Sequence, residues 1–311
     1  MHAAVRQLPP QLPSITPEYL NYNKGPIYLA IVATLVSIAL LTFLLRVYTR
    51  IKLLHFFGID DWVMLVAVLC AVGVFIVFLA MTRLGTGKHL WAVPMEDLLK
   101  IAHWQWYFTL LIIIGISFVK LSVAFFLLRI IHRPYYRRFL YVMIGVLVSL
   151  TLAWCGTLVF QCVPVSAAWN PTLAHARCFS DAQYRSIGLA NSSFNAATDL
   201  IFAILPIPIV WTLCINLRTR ISLIIVLSLG FLACAAAIVR MPMIYNLWDS
   251  EDPFAYGVWL DVWSVIEMTI GITAACLPSL KPLLTALSNL TPSRRTSRSS
   301  NHMPHHAPHP S

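Results

Sequence analysis

Residues 61–82 read DWVMLVAVLCAVGVFIVFLAMT, with one charge at the first position, Asp61, and none after it as far as Thr82. An α-helix rises about 1.5 Å per residue, so a run of this length reaches across a hydrocarbon core of about 30 Å. A helix on the surface of a soluble protein needs a polar face, and this stretch offers none. It reads as a membrane span.

Six comparable blocks lie around it, at 26–48, 103–130, 140–163, 187–213, 221–241 and 257–281. The connecters are short, so the spans must be neighbours in one bundle with no inserted soluble domain. Backbone polar groups inside lipid have to be paired, which blocks of this length achieve as helices; the alternating ten-residue segments of a barrel are absent. The fold class is all-α, an integral membrane seven-helix bundle over residues 26–285. Residues 1–25 are expected to form a disordered extracellular tail without a cleavable signal, and residues 286–311 a disordered, basic and His-rich cytosolic tail.

Composition leads to the same class. Of 311 residues, 59% are hydrophobic and 11% charged, and mean hydropathy is +0.76; soluble domains run at about 45–50% apolar and about 25% charged. The net charge of +10 sits on short connecters and one tail, so it speaks for topology and not for nucleic acid. Thirteen Lys and Arg fall on the side that follows spans 1, 3, 5 and 7, and eight on the other. The bias rule then predicts an outside N-terminus and a cytosolic C-terminus.

Several local patterns occur in a fixed order. They are Gly58-Ile59-Asp60-Asp61-Trp62 at the entry to span 2, the loop Leu84-Gly85-Thr86-Gly87-Lys88-His89, and Trp169 with Cys178 in an outer loop. Asn195, Asp199 and Pro206 follow in span 5, Arg240 in span 6, and Glu267 with Leu277-Pro278-Ser279-Leu280-Lys281-Pro282 in span 7. As an ordered set they resemble the fungal rhodopsin-domain family of integral membrane proteins, which includes Pth-type receptor-like proteins and the satratoxin-cluster membrane protein. The resemblance implies a seven-helix fungal membrane protein, with the plasma membrane as the expected location.

Ionisable groups at membrane depth are costly and default to functional hypotheses. Asp199, Glu267 and Lys120 lie about 18, 15 and 24 Å into their spans, close enough in level for Lys120 to pair with Asp199 or with Glu267. Asn191, Asn195 and Asp199 are spaced at i, i+4 and i+8, a polar stripe that must face the bundle. These five residues either lock spans 3, 5 and 7 together or line a ligand pocket. Asp60 and Asp61 either cap span 2 or form a switch contact with Arg129 or Arg133 at the end of span 3. Cys162 and Cys178 are expected to form a disulfide on the outer, oxidising side, fastening the loop that carries Trp169.

A retinal Schiff base would need a lysine in the middle of span 7, where Glu267 stands, with Lys281 only at the cytosolic end. No retinal or other cofactor is expected. No metal is expected either, since there is no CxxC pair and His302, His305, His306 and His309 sit in a Pro-rich tail. No catalytic Ser-His, HExxH or paired-Asp motif appears, so an enzyme is not expected. The favoured function is a receptor-like sensor of an unidentified small molecule with a cytosolic signalling partner; the alternative is a small-molecule or proton-coupled transporter using the Lys, Asp and Glu as a relay.

Overall fold

The computed structural model describes residues 22–53, 55–131, 133–170, 176–205, 235, 238–239, 241–245 and 253–290, with Asp181, Pro253 and 281–290 as backbone alone. Helix α1 (Gly25–Tyr48) runs on into a π-helical turn, Thr49–Leu53. Then come α2 (Ile59–Leu84), α3 (Met95–Ile130) and α4 (Pro134–Val159). Two-residue strands β1 (Cys162–Val163) and β2 (Arg177–Cys178) pair antiparallel, and α5 (Asp181–Ile204) and α6 (Pro253–Leu290) follow. α6 is the helix expected as span 7. The tail 286–311 beyond Leu290, span 221–241 apart from a few helical residues, Pro206 and Arg240 lie outside the described residues.

Among the described residues, five stretches are long and apolar enough to cross a membrane: Gly25–Leu53, Ile59–Leu84, Met95–Ile130, Pro134–Val159 and Phe254–Leu280. The chain is a multi-pass helical membrane protein. α5 is missing from that set because Asn191, Asn195, Asp199 and several serines dilute its hydrophobicity.

The helices bury narrow stripes and leave the rest to lipid. In α1 the buried positions are Val32, Val36, Ala39, Phe43 and Arg46, spaced alternately by four and three as a helix seam requires. Ile27, Leu41 and Leu44 are more than half exposed, tolerable only against hydrocarbon. That seam packs on α2 and α6, and α3 packs closely on α2, α4 and α6. A Cβ on Gly115 of α3 would lie 2.5 Å from Met268 Sδ, so glycine is what lets α3 approach α6. A second apolar cluster joins Leu121, Ala124 and Leu127 of α3 to Leu140, Met143 and Leu147 of α4 and to Phe202 of α5.

Several expected boundaries change, among them the start of α5, at Asp181 and not 187, and both ends of α6, Pro253–Leu290 and not 257–281. α3 begins at Met95 and not near 103, because Pro94 precedes it and Glu96 and Asp97 favour the positive end of its dipole. α4 begins at Pro134 and ends at Val159; its first turns carry Arg137 and Arg138, which an apolar window skips. Cys162 accordingly lies in β1 and not in the helix.

At the end opposite the arginines, the loop after α2 grips the start of α1. Gly85 and Gly87 have φ of +115° and +98°, the left-handed region that favours glycine. The Lys24 N–H donates to the Gly87 carbonyl at 3.0 Å, and a Cβ on Gly87 would meet the Gly25 nitrogen at 2.4 Å. Gly87→Ala is therefore expected to lose at least ~1–2 kcal/mol from the backbone alone, read as a lower unfolding midpoint in detergent. Gly145→Ala, where a Cβ meets nothing within 4 Å, should cause no loss.

Candidate functional site

Charged side chains are buried at two levels. At the Arg-rich end, α1 and its π-turn present Arg46 and Arg50, four residues apart and so on one face, toward the first turn of α2. Arg46 Nη2 lies 2.7 Å from Asp60 Oδ2 and its Nε 2.8 Å from Asp61 Oδ1. Arg50 Nη2 reaches Asp60 at 3.0 Å, and its Nε is 3.5 Å from Asp61. All four residues are buried, with Arg46 only 1% exposed.

Further hydrogen bonds lock this cluster into its neighbours. Arg46 Nη1 donates to the Ala275 carbonyl of α6 at 2.6 Å, and Ser122 Oγ of α3 donates to the Asp60 carbonyl at 2.7 Å. Asp61 also caps α2, accepting from the Gly58 N–H at 3.0 Å. Two cations and two carboxylates thus join four helices with no net charge.

The switch contact expected with Arg129 or Arg133 is corrected here. Asp60 and Asp61 turn inward to α1, because a short connection makes α1 and α2 antiparallel neighbours. Arg129 is exposed and lies over the Phe56 ring, 4.2 Å from its centroid, and Arg133 is exposed as the residue before α4. Two arginines four apart, followed within one short turn by two aspartates, are a sequence signal for this cluster that depth in the membrane does not reveal.

The second level lies inside the bundle and joins α3, α5 and α6. Lys120 Nζ is 2.9 Å from Asp199 Oδ1 and donates to the Asn195 carbonyl at 2.9 Å, Asn195 Oδ1 at 2.6 Å and Thr198 Oγ1 at 2.8 Å. Asn195 Nδ2 donates in turn to Glu267 Oε1. Of the two carboxyl partners the sequence leaves open, Lys120 meets Asp199, and Glu267 joins through the Asn195 amide. That amide faces a cation with its oxygen and a carboxyl group with its nitrogen, so its orientation is fixed electrostatically.

Beside this layer a cavity of about 70 Å³ opens between α3, α4 and α5. Lys120, Asn191, Asn195 and Thr198 line it, with Ser117 and Thr151. Asn191 thus belongs to the cavity, whereas Asp199 and Glu267 stand behind its wall.

At the loop end, Cys162 and Cys178 are joined by a disulfide. The enclosed loop returns Trp169 onto α3, where it stacks on His103 with ring centroids 4.4 Å apart. Asp261 of α6, which the sequence reading passes over, accepts from Gln105 Nε2 of α3 at 2.9 Å. Among the described residues no three His, Cys, Asp or Glu side chains group as a metal would need.

The model of the fungal rhodopsin domain matches residues 45–286. The chain is 22% identical over 254 residues to the "Fugralins biosynthesis cluster protein 2" of Gibberella zeae, covering 79% of this chain and 62% of that protein. It is 28% identical over 200 residues to an SAT4 family membrane protein of Emericella nidulans, covering 63% and 49%. Against the receptor GIN3 of Arthrobotrys oligospora it is 24% identical over 165 residues, covering 53% and 39%. The chain spans less than two thirds of the length of each of these three relatives. No solved structure matches it.

Proposed function

The chain belongs to the fungal rhodopsin domain family, and from that premise we propose that it is a receptor-like seven-span protein that senses a small molecule. In this reading the N-terminus lies outside, the Arg-rich end faces the cytosol and an unidentified signalling partner, and the plasma membrane holds the protein. The charge bias of the connecters supports the orientation. The similarity to the receptor GIN3 supports the class.

The observation that carries the reading is the chain of contacts from the cavity to the arginine cluster. A molecule that changes the partners of Lys120 or Asn195 acts on α3, α5 and α6 together. α6 also bears Ala275, about 12 Å along the helix from Glu267, and its carbonyl is held by Arg46. A shift of α6 is therefore felt at a cluster whose four charges tolerate few arrangements, which makes that cluster the switch. Neither catalysis nor retinal belongs to this reading: span 7 carries Glu267 where a retinal lysine would stand, and Lys120 Nζ is engaged by Asp199, Asn195 and Thr198.

The test is ligand capture in proteoliposomes. Purified protein is incubated with fungal metabolite extract, and mass spectrometry separates lumenal from protein-bound compounds for the wild type and for Asp199→Asn. Stoichiometric binding without accumulation, weakened in the variant, is expected. A compound that accumulates in the lumen well beyond protein stoichiometry, and fails to do so in Asp199→Asn, would replace the sensor with a transporter whose relay is Lys120, Asp199 and Glu267.

A further inference from the structure

The cavity between α3, α4 and α5 is too small for a whole metabolite. At about 70 Å³ it is well below the about 300 Å³ or more of pockets that enclose a drug-sized ligand. Only the end of a ligand fits. On the side of Leu147 the lining continues into the apolar cluster that holds Leu121 and Phe202, so the remainder of the molecule is placed on another side. On that side stand Leu150, Trp154 and Phe194. Phe194 is 51% exposed and Leu152, on the neighbouring surface of α4, 69% exposed. That side is hydrocarbon-facing.

The polar lining decides which end fits. Lys120 already faces four acceptors, two on Asn195, one on Thr198 and one on Asp199, with only three N–H groups to give. It has none for an incoming anion, and two carboxyl groups stand close behind it. An anionic head therefore finds no N–H on Lys120 and is repelled by the two carboxyl groups. The Asn191 side chain makes no hydrogen bond among the described residues and offers both N–H donors and a carbonyl acceptor to the cavity. Ser117 and Thr151 give their hydroxyl hydrogens to the Ile113 and Leu147 carbonyls, which leaves oxygen lone pairs as acceptors. The two amide N–H donors of Asn191 and several acceptors complement a neutral hydroxyl, which donates once and accepts twice.

We propose that this cavity takes the hydroxyl head of a slender, uncharged lipophile, a long-chain alcohol in its simplest form, which enters from the bilayer between α4 and α5. The assignment rests on the sensing reading above and gives it a ligand class. The hydroxyl pairs with Asn191 and Thr151 beside Lys120, while the chain lies in the crevice along Trp154 and Phe194. Entry from lipid also means that the loop fastened by the disulfide has no need to open.

The experiment uses the full chain in nanodiscs and a long-chain primary alcohol carrying a diazirine near its head, with the matching carboxylic acid probe as comparison. Labelled peptides are expected from α4 and α5 around Trp154 and Phe194, displaced by plain long-chain alcohol, with weaker labelling by the acid at neutral pH. Asn191→Leu should weaken the displacement by about tenfold, the effect of one lost hydrogen bond in a buried site. Thr151→Val, which keeps the shape, should weaken it in the same direction and decides the matter if Asn191→Leu does not fold. Equal labelling by acid and alcohol, labelling spread evenly over the lipid face of α1, or displacement unchanged in the folded variants would overturn the proposal. Should extract capture find a bound compound while the alcohol fails to label, the ligand class is wrong and the sensor stands. Site-specific labelling with no change at the arginine cluster, followed by hydrogen exchange around Asp60, would sink the sensor and leave the site.

Discussion

Replacing Arg46 by alanine is expected to remove about 3–5 kcal/mol of stability, the range for breaking one partner out of a buried ion pair. The reason is what remains. Asp60 and Asp61 stay in a site where Arg46 is 1% and Asp61 1% exposed, and water cannot replace the lost guanidinium. Arg50 keeps its 3.0 Å contact to Asp60 but lies 3.5 Å from Asp61, so it offsets the loss only in part. The Ala275 carbonyl loses its donor as well. Since folded proteins hold on the order of 5–15 kcal/mol in total, much of the variant should be recovered as aggregate or unfold early in a thermal or SDS titration.

Arg46→Lys should fall between the two. An ammonium keeps the charge, but it cannot span two carboxylates and a carbonyl with a planar fork. Arg129→Ala and Arg133→Ala, which alter exposed side chains, should stay within about 0.5 kcal/mol of wild type. If either of them matched Arg46→Ala, the inward pairing of Asp60 and Asp61 would be wrong.

Why the sequence reveals one polar level and mislays the other follows from these residues. Lys120, Asp199 and Glu267 stand alone in apolar surroundings, so the cost of burying them makes them visible in one dimension. Arg46 and Arg50 sit at the end of a span, where basic residues normally reach for headgroups, and the charge-bias rule counts them as exposed. Their burial depends on the turn from α1 to α2, and no periodicity in either helix encodes that turn. Asp261 is masked in the same way by its place near the start of α6. The Asn195 bridge lies between these cases: the stripe of Asn191, Asn195 and Asp199 shows that one face of α5 is polar, but which helix each member meets depends on how α5 is rotated.

Span existence is legible for the physical reason that hydrocarbon imposes a length. Span ends are less so. Met95 and Pro134 start their helices in water-side residues, where caps and dipoles rule, and a hydrophobic window sees neither. Three of the cavity's polar residues, Lys120, Asn191 and Asn195, are legible as pocket candidates, but its place and size are not, since its walls come from three helices and its volume is set by packing between them.

The interior layer supplies the second large effect. Lys120→Met is expected to lose about 3–5 kcal/mol, because Asp199 then keeps a carboxylate in a buried site without its 2.9 Å cation partner. Asp199→Leu leaves Lys120 Nζ its Asn195 and Thr198 acceptors but no carboxylate in contact, and should cost somewhat less. The double variant is the informative one. With both charges gone, Met and Leu fill the space with hydrocarbon, and buried pairs replaced in this way are often neutral or better. Lys120→Met with Asp199→Leu should therefore be more stable than either single variant, a coupling that SDS titration of all four proteins measures directly. Ordinary interhelical hydrogen bonds in membranes average about 0.6 kcal/mol. If each single variant lost no more than that, Lys120 would be a weak clasp whose charge is not buried in effect, and a ligand head beside it would have too little leverage to move α6. A strong coupling in which the apolar double variant folds yet no longer responds to ligand at the arginine cluster would assign these charges to signalling and not to stability.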